Sequence, residues 1–86
     1  MTVAELHAHV GAPAPGVDVY HRVEAGLEAI AWEGDADDRR GWWWVLAQGR
    51  EVLAFGWALG ADLQNNLVLA RQLVGGVRTA APVLPS

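Results

Sequence analysis

Three histidines are the first residues whose type and spacing could do chemistry. His7 and His9, two residues apart, would bring two imidazoles to one metal ion from an extended segment, with His21 as a third ligand. That is the donor set of an open zinc site able to activate water. On a helix the same pair diverges by about 200° and cannot share an ion. Thr2-Val3-Ala4-Glu5 fits the capping box that opens a helix, with the Thr hydroxyl and the Glu carboxylate each taking a free N–H. Solvent-facing histidines and no metal site are expected. Glu33, Asp35, Asp37 and Asp38 offer hard oxygen ligands at alternating spacing, but the glycine position and the distal Glu of a calcium loop are missing.

Covalent catalysis lacks its parts. The only Ser is Ser86, and the other hydroxyls belong to Thr2, Tyr20 and Thr79, so no Ser/His/Asp set can be assembled, and without Cys there is no thiol nucleophile. Carboxylate pairs such as Glu24 with Glu28, or Asp37 with Asp38, could do acid/base work only if burial raised one pKa, and nothing in the sequence implies burial. The glycines match neither a dinucleotide fingerprint nor a phosphate loop. No catalytic residue is assigned, no cofactor is implied and an enzyme is not expected.

The elements that must position these groups are those of one small domain. Eighty-six residues, 52% hydrophobic and 19% charged, are too apolar for intrinsic disorder. There is no Lys, and a formal charge of −4 with pI about 5.1 argues against direct nucleic-acid binding, which needs clustered cations. The absence of Cys leaves the redox compartment unread. The first ten residues lack a basic region and are interrupted by Glu5, His7 and His9, and no apolar run approaches the roughly 20 residues of a membrane helix. A cytoplasmic protein is expected. Its Lys-free, Ala/Gly/Val/Arg-rich composition is of the kind found in high-GC bacterial or phage genes.

Along the chain, a short helix from Val3 to about Val10 ends at Gly11-Ala12-Pro13-Ala14-Pro15-Gly16. Residues 1–10 then form a detachable arm, 11–16 a linker, 17–76 one domain and 77–86 an extended tail. Val17 to Trp32 reads as a helix with Val19, Val23, Leu27 and Ile30 on one stripe, or as two strands turning at Glu24-Ala25-Gly26. Its β-branched and aromatic density tips the reading toward strands. Residues 33–41 form a polar surface loop bounded by glycines. Asp62 opens a helix carrying Leu63, Leu67, Ala70 and Val74 at helical spacing, with Leu69 and Leu73 widening the stripe and Gly75-Gly76 stopping it.

Trp42 to Ala58 is the most readable stretch. A two-residue turn at Gly49-Arg50 pairs Gln48 with Glu51, Ala47 with Val52, Leu46 with Leu53, Trp44 with Phe55, Trp43 with Gly56 and Trp42 with Trp57. One face then carries Trp42, Trp44, Leu46, Leu53, Phe55 and Trp57, and the other Trp43 and Val45. The expected fold is α+β: an antiparallel meander of three to four strands, with the C-terminal helix on one face and a short N-terminal helix.

Gly41-Trp42-Trp43-Trp44-Val45-Leu46, then Gly49-Arg50-Glu51-Val52-Leu53-Ala54 and a helix, resembles the small YegP-like domains, whose unit reads W-x-W-x-L, an N-G turn, a second strand and one helix. The resemblance spans about residues 41 to 75, with Gln48-Gly49 where the family has Asn-Gly. It implies a strand-strand-helix unit and pairing between copies, and it transfers no site.

Five Trp in one small chain, four of them between positions 42 and 57, exceed what a single core needs. Either Trp43 is covered by the N-terminal arm or closes over Gly56, or it centres a protein interface with Val45, Ile30 and Trp32. The interface reading leads: a non-enzymatic module that self-associates, as a homodimer in its simplest form, or docks on a larger protein. The runner-up is a small acidic phage-type inhibitor of host defence, imitating nucleic-acid phosphates with Glu33, Asp35, Asp37, Asp38 and Glu51. A small metal-binding protein comes third.

Overall fold

The structure is a computed structural model that describes the backbone of residues 1–79 and the side chains of residues 1–74. In chain order it contains α1 (Val3–Val10), β1 (Asp18–Glu24), β2 (Leu27–Ala36), β3 (Arg39–Gln48), β4 (Glu51–Ala58), a 3₁₀ turn (Gly60–Asp62) and α2 (Leu63–Thr79). The strands form one antiparallel sheet in the order β1-β2-β3-β4. This is the α+β meander that the residue pattern implies.

Three tight turns build the sheet. Ala25 and Gly26 sit at φ 53° and 79°, Asp37 and Asp38 at 51° and 61°, and Gly49 at 59°. Positive φ at the head of a two-residue turn gives the twist that matches paired strands. Val17 to Trp32 therefore resolves into strands turning at Ala25-Gly26. The polar loop expected over 33–41 is instead a second hairpin, in which Glu33 faces Trp42 and Ala36 faces Arg39 across an Asp37-Asp38 turn. Asp tolerates the left-handed conformation better than most residues, so two Asp can do here what Asn-Gly does elsewhere.

The sheet buries both faces. On one, α2 lays Leu63, Leu67, Ala70 and Val74 across Leu27, Ala29 and Ala31 of β2, Trp42, Trp44 and Leu46 of β3, and Ala54 and Ala58 of β4. On the other, α1 packs Leu6 against Trp32, Val45 and Ala47, with Val3, Val10, Ile30, Trp43 and Val52 around it. The expected detachable arm is thus a third layer. Leu6 is 0% exposed, Thr2 and Glu5 complete the capping box, and the segment leading into α1 is tied to β4 by Val52 N–H to Met1 C=O and Val3 N–H to Arg50 C=O, both 2.8 Å.

α2 starts at Leu63, directly after Asp62, as the spacing implies. Its end and the tail differ from the reading of the sequence: α2 continues through Gly75-Gly76 to Thr79, because glycine weakens a helix without ending it. Of the expected tail, residues 77–79 are helical and residues 80–86 lie outside the described residues.

The third difference matters most. Gln48 pairs with Glu51 and Ala47 with Val52, as the turn dictates, but Leu46 then pairs with Ala54. Leu53 is the extra residue of a β-bulge, and every later pair shifts by one. Val45 meets Phe55, Trp44 meets Gly56, Trp43 meets Trp57 and Trp42 meets Ala58. Phe55 and Trp57 therefore change faces, joining Trp43 on the α1 side and leaving Gly56 and the alanines 54 and 58 beneath α2.

Candidate functional site

The bulge assembles an aromatic row. Trp32, Trp43 and Trp57 lie side by side across β2, β3 and β4, and Ile30, Val45 and Phe55 form the next row. Three indoles of the hairpin, those of Trp43, Trp44 and Trp57, rest on glycines. A Cβ on Gly34 would meet Trp43 Cδ1 at 2.6 Å, a Cβ on Gly56 would meet Trp44 Cζ2 at 2.6 Å, and a Cβ on Gly41 would overlap the Trp57 ring. The glycines let the rings lie down on the backbone, as aromatic side chains do where they cover strand glycines. Trp44, not Trp43, is the residue that covers Gly56. The Arg39 guanidinium then lies over Trp57, 5.3 Å from its ring centroid, a cation–π contact.

α1 closes part of this face. Trp32 is 4% exposed and Val45 0%, sealed with Leu6, and His7 meets the Trp32 ring edge-on at 5.3 Å. Of the four expected interface residues, Trp32 and Val45 are therefore structural and closed off. Trp43 and Ile30 stay half-buried. Trp57, also half-buried, and Phe55, 42% exposed, extend the open part. Reading a regular ladder missed them. The signal that would have found them is the set of glycines, since the shifted register is the one that sets Trp44 against Gly56.

The expected acidic patch comes together only in part: Glu33, Asp35, Asp37 and Asp38 share the β2–β3 hairpin, and Glu51 does not. Glu33 receives a hydrogen bond from Arg40 Nε at 2.5 Å, and Asp35 is 4.0 Å from the same guanidinium. That hydrogen bond holds the Glu33 carboxyl below its ordinary range and raises Arg40. Asp37 and Asp38 occupy the turn beside them, next to Arg39. Glu51 sits at the other end of β3, about 30 Å along the strand, where it faces the Met1 amine at 3.6 Å.

The histidines are also separated. His7 packs on Trp32, His9 is exposed on α1, and His21 on β1 contacts Glu28 at 3.0 Å and Asp18 at 4.0 Å. Among the described residues no three metal-capable side chains converge. Glu24 and Glu28, the other carboxylate pair, point to opposite faces: Glu24 bonds Arg71 of α2 at 2.8 Å, while Glu28 lines the α1 side. A shallow groove of about 470 Å³ runs there between Thr2, Val3, Ala4, Glu28, Ile30, Gly49 and Arg50. Its one hydroxyl, that of Thr2, is taken up by the Glu5 N–H.

Compared with protein families, curated proteins and solved structures, the chain matches none of them.

Proposed function

We propose that the chain is a non-enzymatic interaction module that contacts protein, a second copy or a larger partner, through the open part of its α1-side face. The observation that carries this reading is the collection of Trp43, Trp57 and Phe55 on one face, partly open to solvent, with both indoles laid on glycines. Large, rigid aromatic surface is what protein interfaces use at their centres, with Arg the most favoured cation beside it. Arg39 stands there. A chain of charge −4 whose Arg22, Arg40 and Arg71 are held by carboxylates favours a protein over a nucleic acid as the occupant. The acidic-mimic alternative keeps four of its five carboxylates on the β2–β3 hairpin, but Arg39 and Arg40 stand among them and Arg40 bonds Glu33.

The test is a photo-crosslinking residue placed at Phe55, with Asp62 as the control position. Adducts from Phe55 to one discrete species, either the chain itself or one partner, and none from Asp62, are expected. Equal, non-discrete labelling from both positions would sink the reading.

A further inference from the structure

The aromatic face is not the only unpartnered feature. β1 is an edge strand, and all of its residues but Tyr20 are exposed. The opposite edge, β4, is tied at its start to residues 1–3 and kinked by its bulge. Among the described residues nothing pairs with the outer edge of β1.

Backbone geometry decides what that edge offers. Glu24 and Leu27 flank a two-residue turn, so they form a hydrogen-bonded pair, and the alternation of an antiparallel ladder makes Tyr20, Arg22 and Glu24 the residues bonded to β2. His21 and Val23 then aim their N–H and C=O groups outward. Val19, the bulged residue, has no partner on β2. Val19 and Val23 are 54% and 64% exposed, more apolar surface than an isolated edge needs.

We propose that β1 pairs antiparallel with β1 of a second copy about a twofold axis at His21, joining two four-stranded sheets into a continuous one. The axis position follows from the alternatives. Centred on Arg22, the ladder sets arginine against arginine. Centred on Val23 it runs into the Ala25-Gly26 turn, and centred on Tyr20 it runs into the bulge, each leaving only a short overlap. Centred on His21, Val19 lies opposite the partner's Val23 and Tyr20 opposite the partner's Arg22. His21 then meets the partner's His21 in about two backbone hydrogen bonds, and Val23 reaches the partner's Val19 at the bulge, which bounds the ladder at each end. Within Val19–Val23 no arginine opposes an arginine and no carboxylate opposes a carboxylate.

This pairing does not depend on the aromatic face, and its test separates the two. The chain has no Cys, so a single introduced thiol can form only an interchain disulfide. Directly opposed residues of an antiparallel hydrogen-bonded pair have Cα atoms about 5.5 Å apart, within disulfide reach, whereas positions offset by two residues lie beyond about 7 Å. Under mild oxidation His21→Cys is expected to give disulfide dimer at least about tenfold faster than Arg22→Cys. In parallel, sedimentation equilibrium from about 10 μM to about 1 mM should show a wild-type monomer–dimer equilibrium. Val23→Pro removes an outward N–H without touching the β2 ladder and should weaken it by about tenfold or more at unchanged far-ultraviolet circular dichroism. Phe55→Glu should leave it unchanged. Equal disulfide rates at the two positions, a strict monomer across the range, including one that instead binds an extended peptide, or a dimer lost with Phe55→Glu and kept with Val23→Pro would each overturn the proposal.

Discussion

At the scale of single residues, Trp43, Trp44 and Trp57 of the β3–β4 hairpin are each half of a pair whose other half is a glycine. Trp44 is the most buried of them, and its indole N–H has no partner among the described residues. Its contribution is therefore apolar contact with Gly56 and α2, with a donor left unpaid. Trp44→Phe, which keeps a ring and discards the orphan donor, should cost less than about 1.5 kcal/mol, while Trp44→Ala should cost about 3–5 kcal/mol. Gly56→Ala drives a methyl into Trp44 Cζ2 and should cost about 1–3 kcal/mol. In the Trp44→Ala background that penalty should vanish, because the atoms it struck are gone. Urea unfolding of the four chains gives the cycle, and strictly additive losses would show that ring and glycine do not touch. The split of Trp43 from Trp42 and Trp44 was readable from alternation alone. Where Phe55 and Trp57 fall was not, because they stand beyond a one-residue bulge that alternation cannot register.

At the scale of elements, turns and helix contacts explain why some segments were readable and others were not. The Gly49 turn and the capping box at Thr2 have residue types that admit few conformations, and both appear where their residues place them. The Asp37-Asp38 turn was hidden because acidic residues around glycines look like any solvated loop. Ala25 is the weak point: it holds φ 53° without glycine's freedom or an amide to stabilise it. Ala25→Asn creates the preferred Asn-Gly turn and should raise stability by about 0.5–1 kcal/mol, read as a higher urea midpoint at unchanged slope. A lower midpoint would mean the turn is not of this type. Between elements, Arg71 of α2 holds the Glu24 carboxyl below its ordinary value of 4.5, first by its hydrogen bond and then by its charge, with Arg22 adding to it. A lowered folded-state pKa means the unfolded chain takes the proton more readily. The stabilisation is therefore present above about pH 4.5 and is lost as pH falls through the lowered value. Thermal melts at pH 7 and pH 3 should converge less steeply toward acid in Glu24→Gln, which no longer carries that proton linkage, and an unchanged pH slope would place the acid sensitivity elsewhere.

At the scale of the whole molecule, a chain of 86 residues divides its core between two faces of one sheet, and this fixes what α1 is for. A domain this size has a net stability of about 4–13 kcal/mol, so neither core is dispensable. The linker's prolines made residues 1–10 look separable. What that pattern does not announce is that Leu6 is buried against Trp32, Val45 and Ala47, which lie far along the chain. A twofold axis at His21 would stand perpendicular to the joined sheet and keep both α1 layers, with their aromatic patches, on one side. Two copies would then meet a partner together, and the second contact would be gained by avidity. The layer beneath those patches has to hold first. Leu6→Ala should cost about 2–5 kcal/mol, a large share of the total. Removing residues 1–10 should leave Trp32 and Val45 uncovered in a chain that no longer melts cooperatively. Trp fluorescence through thermal unfolding reads both variants. A truncated chain that unfolds sharply at the wild-type temperature would show that the α2-side core suffices, and α1 would then be a cover over the aromatic face, free to lift from it.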